Sequence, residues 1–241
     1  MYGRLTIKIC PPMLDTAQVP KGESVRLRPV PLPTGQPERT PRPVLYITFG
    51  TLFNSNLDLF RLALAALAVE PIDVVMTVGR DGDPAEFAPI PAKARVERFV
   101  PQAELLPSCS AAVHRGGAGT TFGALAHGVP QVILPQGADN YEHAAMCESA
   151  GTAITPRPEA LTAARLAAAV RRVVDDGAYA RSSRTCAEEI AAMPDAGSVA
   201  AALRSRVSGD QRKYLHGDGT LTVLSRESHT AGKGPLTPNP R

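Results

Sequence analysis

Three glycines follow a histidine and an arginine in residues 113–121, VHRGGAGTT. A strand pattern ends at His114, and a helical pattern begins near Ala118. Glycine lets a backbone turn sharply and lets a ligand approach the main chain closely. The unpaired N–H groups of the new helix then face that ligand, with the positive end of the helix dipole behind them. Gly116, Gly117 and Gly119 therefore outline a site for a phosphate or diphosphate. Thr120 and Thr121 add hydroxyl donors, and Arg115 adds charge and a two-pronged fork. A tight strand-to-helix turn with no ligand has the same glycines, and on glycines alone the two readings weigh about equally. The spacing G-G-x-G is not the G-x-G-x-x-G of dinucleotide-binding turns, and no Gly-Lys-Ser/Thr follows as in a P-loop.

A second group follows one strand later, in residues 134–140, LPQGADN. A carboxylate beside an amide, Asp139 and Asn140, suits paired sugar hydroxyls, because one accepts and the other both donates and accepts. Alone, either residue reads as the N-cap of a helix starting near Tyr141. Beside the glycine loop, the sugar role is favoured. Other strand ends add Phe49-Gly50-Thr51, Val78-Gly79-Arg80 and residues 98–102, RFVPQ, where an aromatic and a proline offer a rest for a flat base. Ligands collect beyond the carboxyl ends of strands in open α/β sheets, so these turns belong on one rim.

The elements that position them alternate. Strand-length apolar runs at 44–49, 72–78, 94–100, 111–114, 131–134 and 152–154 are separated by helical patterns or loops. The helices are expected over 57–69, from the glycine turn to 127, over 141–150 closed by Gly151, and from a Thr162 cap to 176 ended by Gly177. Two further helices, 178–193 and 197–207, complete the unit. This pattern predicts an α/β fold, a Rossmann-like parallel sheet with helices on both faces, over 44–207. Residues 1–43 hold nine of the 23 prolines and read as a short β run followed by an extended linker. Residues 208–241 are polar and aperiodic and read as a mostly disordered tail, in which 214–224 could hold a transient hairpin that nothing specifies.

Composition narrows the function classes. The 241 residues carry 26 Lys+Arg and 23 Asp+Glu, a net charge of only +3, which does not suggest a nucleic-acid surface. Aromatics are 5% with no Trp, too few for a base-stacking platform. No apolar run reaches the length of a membrane span. Cys10, Cys109, Cys147 and Cys186 are scattered and read as reduced cytosolic thiols rather than a disulfide or zinc framework. A cytoplasmic location follows from these readings. His127 reads as a helix-end residue, and His143 as a local partner of Asp139 four residues earlier.

Residues 99–144 resemble the nucleotide-sugar signature of the UDP-glycosyltransferase superfamily, nearest its bacterial macrolide and antibiotic branch. The ordered elements are F-V-P-Q, H-R-G-G-A-G-T, G-V-P and P-Q-G-A-D-N. The strand-turn at 45–51 and the V-G-R turn fit as well. The resemblance implies one half of a two-domain GT-B fold, the donor-binding half, with residues 1–43 as the end of an acceptor domain plus linker. It implies transfer of a hexosyl group from a UDP- or dTDP-sugar to a hydroxyl of a small natural-product acceptor, with no cofactor and no metal. Thr51 and the Gly119-Thr120 turn would bind phosphates, joined by His114 or Arg115, since the family's phosphate-binding His falls on Arg115. Phe99 and the backbone of Val100, with Arg80 and Gln102, would hold the base and ribose. Asp139 and Asn140 would bind the sugar. A ribose-binding Glu of plant relatives falls on Gly123, and Asn140 stands for the commoner Gln. No catalytic residue is assigned, because the family's general base lies in the acceptor half; a misassigned start or a truncation is favoured. The chain is then inactive alone, binds the donor, accepts a small molecule only when the other half is supplied, and self-associates through the exposed inter-domain face. The alternatives are a non-catalytic nucleotide-sugar-binding or interaction module, and a different enzyme such as an epimerase on the same scaffold.

Overall fold

The computed structural model describes residues 5–15, 23–30, 41–50 and 57–207, with the backbone strands at 212–215 and 221–224. In chain order the elements are β1 (Leu5–Lys8), β2 (Glu23–Arg26), β3 (Val44–Thr48), α1 (Leu57–Leu67), β4 (Asp73–Thr77) and β5 (Ala94–Glu97). Then come α2 (Gln102–Leu105), β6 (Ala111–His114), α3 (Ala118–Ala126), β7 (Gln131–Ile133), α4 (Asn140–Ser149) and β8 (Ala153–Ile154). Helices α5 (Ala163–Asp175), α6 (Gly177–Ala192) and α7 (Ala196–Val207) follow, then β9 (Arg212–Leu215) and β10 (Leu221–Leu224).

Six strands form one sheet in the order β5-β4-β3-β6-β7-β8, every neighbouring pair parallel. All their carboxyl ends therefore share one edge, as the alternating pattern predicts. Side chains alternate across β3. Leu45, Ile47 and Phe49 enter one core with Phe60 and Leu64 of α1 and Leu166 and Val170 of α5. Tyr46 enters the opposite core with Leu105, Leu106 and Ala124. On that same opposite face Ile133 packs with Phe122, Leu125, Cys147 and Ile190. Each fully buried Leu, Ile or Phe among these contributes about 1.5–3 kcal/mol, and the two faces together make the sheet the rigid base of its own rim.

Three expectations are corrected. The third sheet strand stops at Glu97, not at 100; the last ladder bond runs from Val78 N–H to the Glu97 carbonyl at 3.0 Å, and Pro101, which lacks a donor, then starts α2. Gly177 does not end α5 but opens α6. Asp176 serves both helices: its N–H donates to the Arg172 carbonyl, and its carboxylate accepts from Ala178 N–H at 3.0 Å. Third, the Pro-rich segment is more than a linker. Strands β1 and β2 pair in parallel. Leu14 is wholly buried against Cys147, Ile190 and Met193, and Lys8 and Arg26 converge on Asp15 at 2.7 and 2.8 Å. A segment too short for its own core thus borrows one. Residues 16–22 and 31–40 of that segment lie outside the described residues. In the C-terminal tail β9 and β10 form an antiparallel pair, in the region where a hairpin is allowed for; the rest of 208–241 lies outside the described residues.

Candidate functional site

Strand β3 is joined to β4 on one side and β6 to β7 on the other, so the connections diverge between β3 and β6. A crevice must open there, at the carboxyl ends. It is a cleft of about 320 Å³ lined by Thr48, Gly50, Gln102, His114, Arg115 and residues 117–120. The topology and the glycine turn thus lead independently to one place.

Within the cleft, Gly117 is the N-cap residue of α3, in extended backbone (φ −63°, ψ 139°). The first helical carbonyl partner is already in use: Gly117 C=O accepts from Thr121 N–H at 3.0 Å. The amides of residues 117–120 precede that first bond and are the helix's orphan donors. A Cβ on Gly119 would meet nothing within 4 Å. The fold's own packing therefore does not require a glycine at 119; close approach of a ligand to the main chain would give a reason for one. Arg115 is half-buried, and a Cβ on Gly50 would meet its Nε at 3.1 Å. The guanidinium thus reaches from the end of β6 to the end of β3, across the floor of the crevice. Thr121, by contrast, is buried with its hydroxyl donating to Gly117 C=O at 3.0 Å, so it is spent on the helix.

His114 and Arg115 divide cleanly. His114 is 1% exposed. Its Nδ1 accepts from Gly116 N–H at 3.0 Å, which places the proton on Nε2, where it is donated to Gln131 Oε1 at 2.6 Å. Burial pushes its pKa down from 6.5 to about 4, Gln131 opposing and His143 adding to the shift. The ring is therefore neutral at pH 7, and the cation at this turn is Arg115. Below pH 6.5 the unfolded chain takes up a proton that the native ring refuses until about pH 4. Stability from this group is whole above that window and falls as the pH drops through it. Urea unfolding should show uptake approaching about one proton per molecule on unfolding near pH 5, a component that His114→Asn removes.

The remaining predicted residues fall into three places. Gln102 lies against the loop, its Nε2 donating to Thr120 Oγ1 at 3.1 Å and to the Tyr46 hydroxyl at 3.3 Å. Arg80 and Phe99 meet beyond β4 and β5, the guanidinium carbon 5.5 Å from the ring centroid, and Phe99 is 57% exposed. Val100 beside it is half-buried against the Tyr46 core. In the third place, Asp139 is exposed at the N-cap position of α4 without a side-chain capping bond, and Asn140 is buried. Asn140 lies directly against the glycine loop, since a Cβ on Gly116 (φ +95°) would stand 2.9 Å from its carbonyl oxygen. Thr51 lies outside the described residues.

Thr48 and Tyr46 were missed as site residues. Period-2 alternation was the available signal, since both share the β3 face that meets α3. His143 does not use its ring on Asp139; Nδ1 bonds the Gly116 carbonyl at 2.8 Å. His127 is the C-cap residue of α3, its Nδ1 on the Gly123 carbonyl at 2.8 Å. Burial pushes the Cys109 and Cys147 thiols up to about 12, far from a nucleophile's range. Among the described residues no group of three or more His, Cys, Asp or Glu side chains is placed to hold a metal ion. No described helix is long and apolar enough to cross a membrane.

Residues 61–205 match the family described as "Erythromycin biosynthesis protein CIII-like, C-terminal domain". The chain is similar to 4'-demethylrebeccamycin synthase of Lentzea aerocolonigenes, 38% identical over 151 residues, covering 63% of this chain and 35% of that protein. It is also similar to L-demethylnoviosyl transferase of Streptomyces niveus, 30% identical over 207 residues, covering 82% of this chain and 54% of that one. Among solved structures, glycosyltransferase VinC in complex with dTDP superposes with a TM-score of 0.68 at 28% identity, covering 83% of this chain and 51% of VinC. The chain thus spans about half, or less, of the length of the proteins it matches.

Proposed function

Because the chain belongs to the family of the erythromycin biosynthesis protein CIII-like C-terminal domain, we propose that it is the donor-binding half of a glycosyltransferase. In this reading it holds a UDP- or dTDP-sugar whose hexosyl group passes to a hydroxyl of a small natural-product acceptor. The observation that carries the reading is the cleft at the switch point, with Gly119 facing open space at a helix N-terminus. VinC, a solved neighbour, was crystallised with dTDP, which supports a nucleoside diphosphate as the ligand class.

The chemistry follows from the charges. Cleavage of the anomeric C–O bond leaves negative charge on the diphosphate. Donors already aimed at that position stabilise the charge without reorganising. The amides of residues 117–120, the α3 dipole and Arg115 are such donors, and they supply the positive potential for which other enzymes use a metal ion. Chelation with EDTA is accordingly expected to leave affinity unchanged. Asp139 and Asn140 would hold the hexose, and Phe99 with Arg80 the base. Gln102, tied to Thr120 and Tyr46, would keep the first turn of α3 in place. Deprotonation of the acceptor hydroxyl would belong to the acceptor-binding half. A cytoplasmic setting is part of the same reading.

Calorimetric titration with UDP, dTDP and their glucose conjugates tests the proposal. Binding of at least one is expected, and no heat from any would overturn it. Gly119→Ala sharpens the test against a ligand-free turn. The substitution adds a methyl in open space and improves helix propensity, so it leaves stability equal or higher by up to about 1 kcal/mol. It should still weaken nucleotide binding about tenfold, because the methyl occupies the ligand's approach. Unchanged affinity would favour the bare turn.

A further inference from the structure

His143 is not among the residues that line the cleft, yet its ring is bonded to the glycine loop. The Gly116 carbonyl accepts from His143 Nδ1 at 2.8 Å. A carbonyl only accepts, so Nδ1 carries the proton. On the other side of the same residue, Gly116 N–H donates to His114 Nδ1 at 3.0 Å. Both polar groups of Gly116 therefore turn inward to buried imidazoles. At Gly116 a Cβ would lie 2.9 Å from the Asn140 carbonyl oxygen and 3.0 Å from Ile133 Cγ2. The loop after β6 and the N-terminus of α4 meet there without room for a methyl. Phe122 of α3 backs the His143 ring edge-on, 5.6 Å between centroids.

We propose that His143 is a positioning residue that sets the register between the loop receiving the diphosphate and the turn at 139–140 receiving the hexose. The inference rests on the donor-site reading above. A nucleoside diphosphate touches only the first of these parts and does not need the register. A nucleotide-sugar spans both, and a misplacement of about 1 Å between them is costly.

The full chain, with Phe or Asn at position 143, separates the two. Phe keeps ring volume and loses the donor; the Asn amide can donate from near the position of Nδ1. With His143→Phe, affinity for dTDP and UDP should stay within about threefold, while affinity for dTDP-glucose and UDP-glucose falls about tenfold. His143→Asn should retain both. Equal loss for both ligand types, or no loss for either, would overturn the tie while leaving the donor site standing. Wild-type chain that binds no nucleotide would overturn both. If His143→Phe does not fold, ¹⁵N spectra of wild-type rings decide. His143 is expected to be protonated at Nδ1 and to shift with the nucleotide-sugar but not with the nucleoside diphosphate. Protonation at Nε2 alone, or equal shifts with both ligands, would overturn the proposal.

Discussion

Arg115→Ala is expected to lower affinity for UDP and dTDP about 10- to 100-fold, the worth of one or two charge-assisted hydrogen bonds to a diphosphate. Two basic side chains stand side by side at the end of β6. His114 is neutral, with both ring nitrogens engaged by Gly116 and Gln131. Arg115 lies beside Gly50 at the floor of the crevice and carries a guanidinium fork suited to phosphate. With burial holding the His114 pKa at about 4, affinity for a nucleotide-sugar should not rise as the pH falls from about 8 to about 6. Arg115→Lys keeps the charge but loses the fork and should fall between wild type and Ala. Calorimetry measures all three. Affinity that rises steeply as an imidazole protonates would assign the phosphate to a histidine instead.

Gly116→Ala is the largest expected effect on stability, about 2–4 kcal/mol by chemical denaturation. Two costs coincide at this position. The backbone sits at φ +95°, which an L side chain rarely adopts, and the added methyl would stand 2.9 Å from a backbone oxygen of Asn140. That oxygen belongs to the first residue of α4 and has no flexible end to swing away. Relief must come from parting the loop from α4, so nucleotide-sugar binding should be lost as well. The contrast with Gly119→Ala, three residues on and cost-free to the fold, separates a glycine kept for packing from one kept for a ligand.

Much of this was legible in the residues. Alternating apolar runs and caps such as Thr162 led to a parallel sheet with helices on both faces, because such runs bury both sides of every strand. The glycine turn and LPQGADN could be assigned to one rim because parallel strands end together. Which of His114 and Arg115 faces the cleft was not legible. Adjacent residues at a strand end leave in opposite directions, and which direction is buried depends on Gln131, a partner 17 residues away. Gln102 is similar, since its partners Tyr46 and Thr120 come from two other elements. The docking of residues 5–15 is not legible in the sequence because Pro-Pro-Met-Leu has no periodicity; Leu14 is buried only because α4 and α6 offer it a place. Gly177 was misread because Asp176 caps two helices at once, a shared use that no local pattern signals.

A crystal structure of the chain with dTDP or UDP measures directly where a diphosphate settles. The prediction is that phosphate oxygens lie about 2.7–3.2 Å from amides within residues 117–120, with the Arg115 guanidinium on the same group. Nucleotide bound elsewhere, with the first turn of α3 left to solvent, would contradict it.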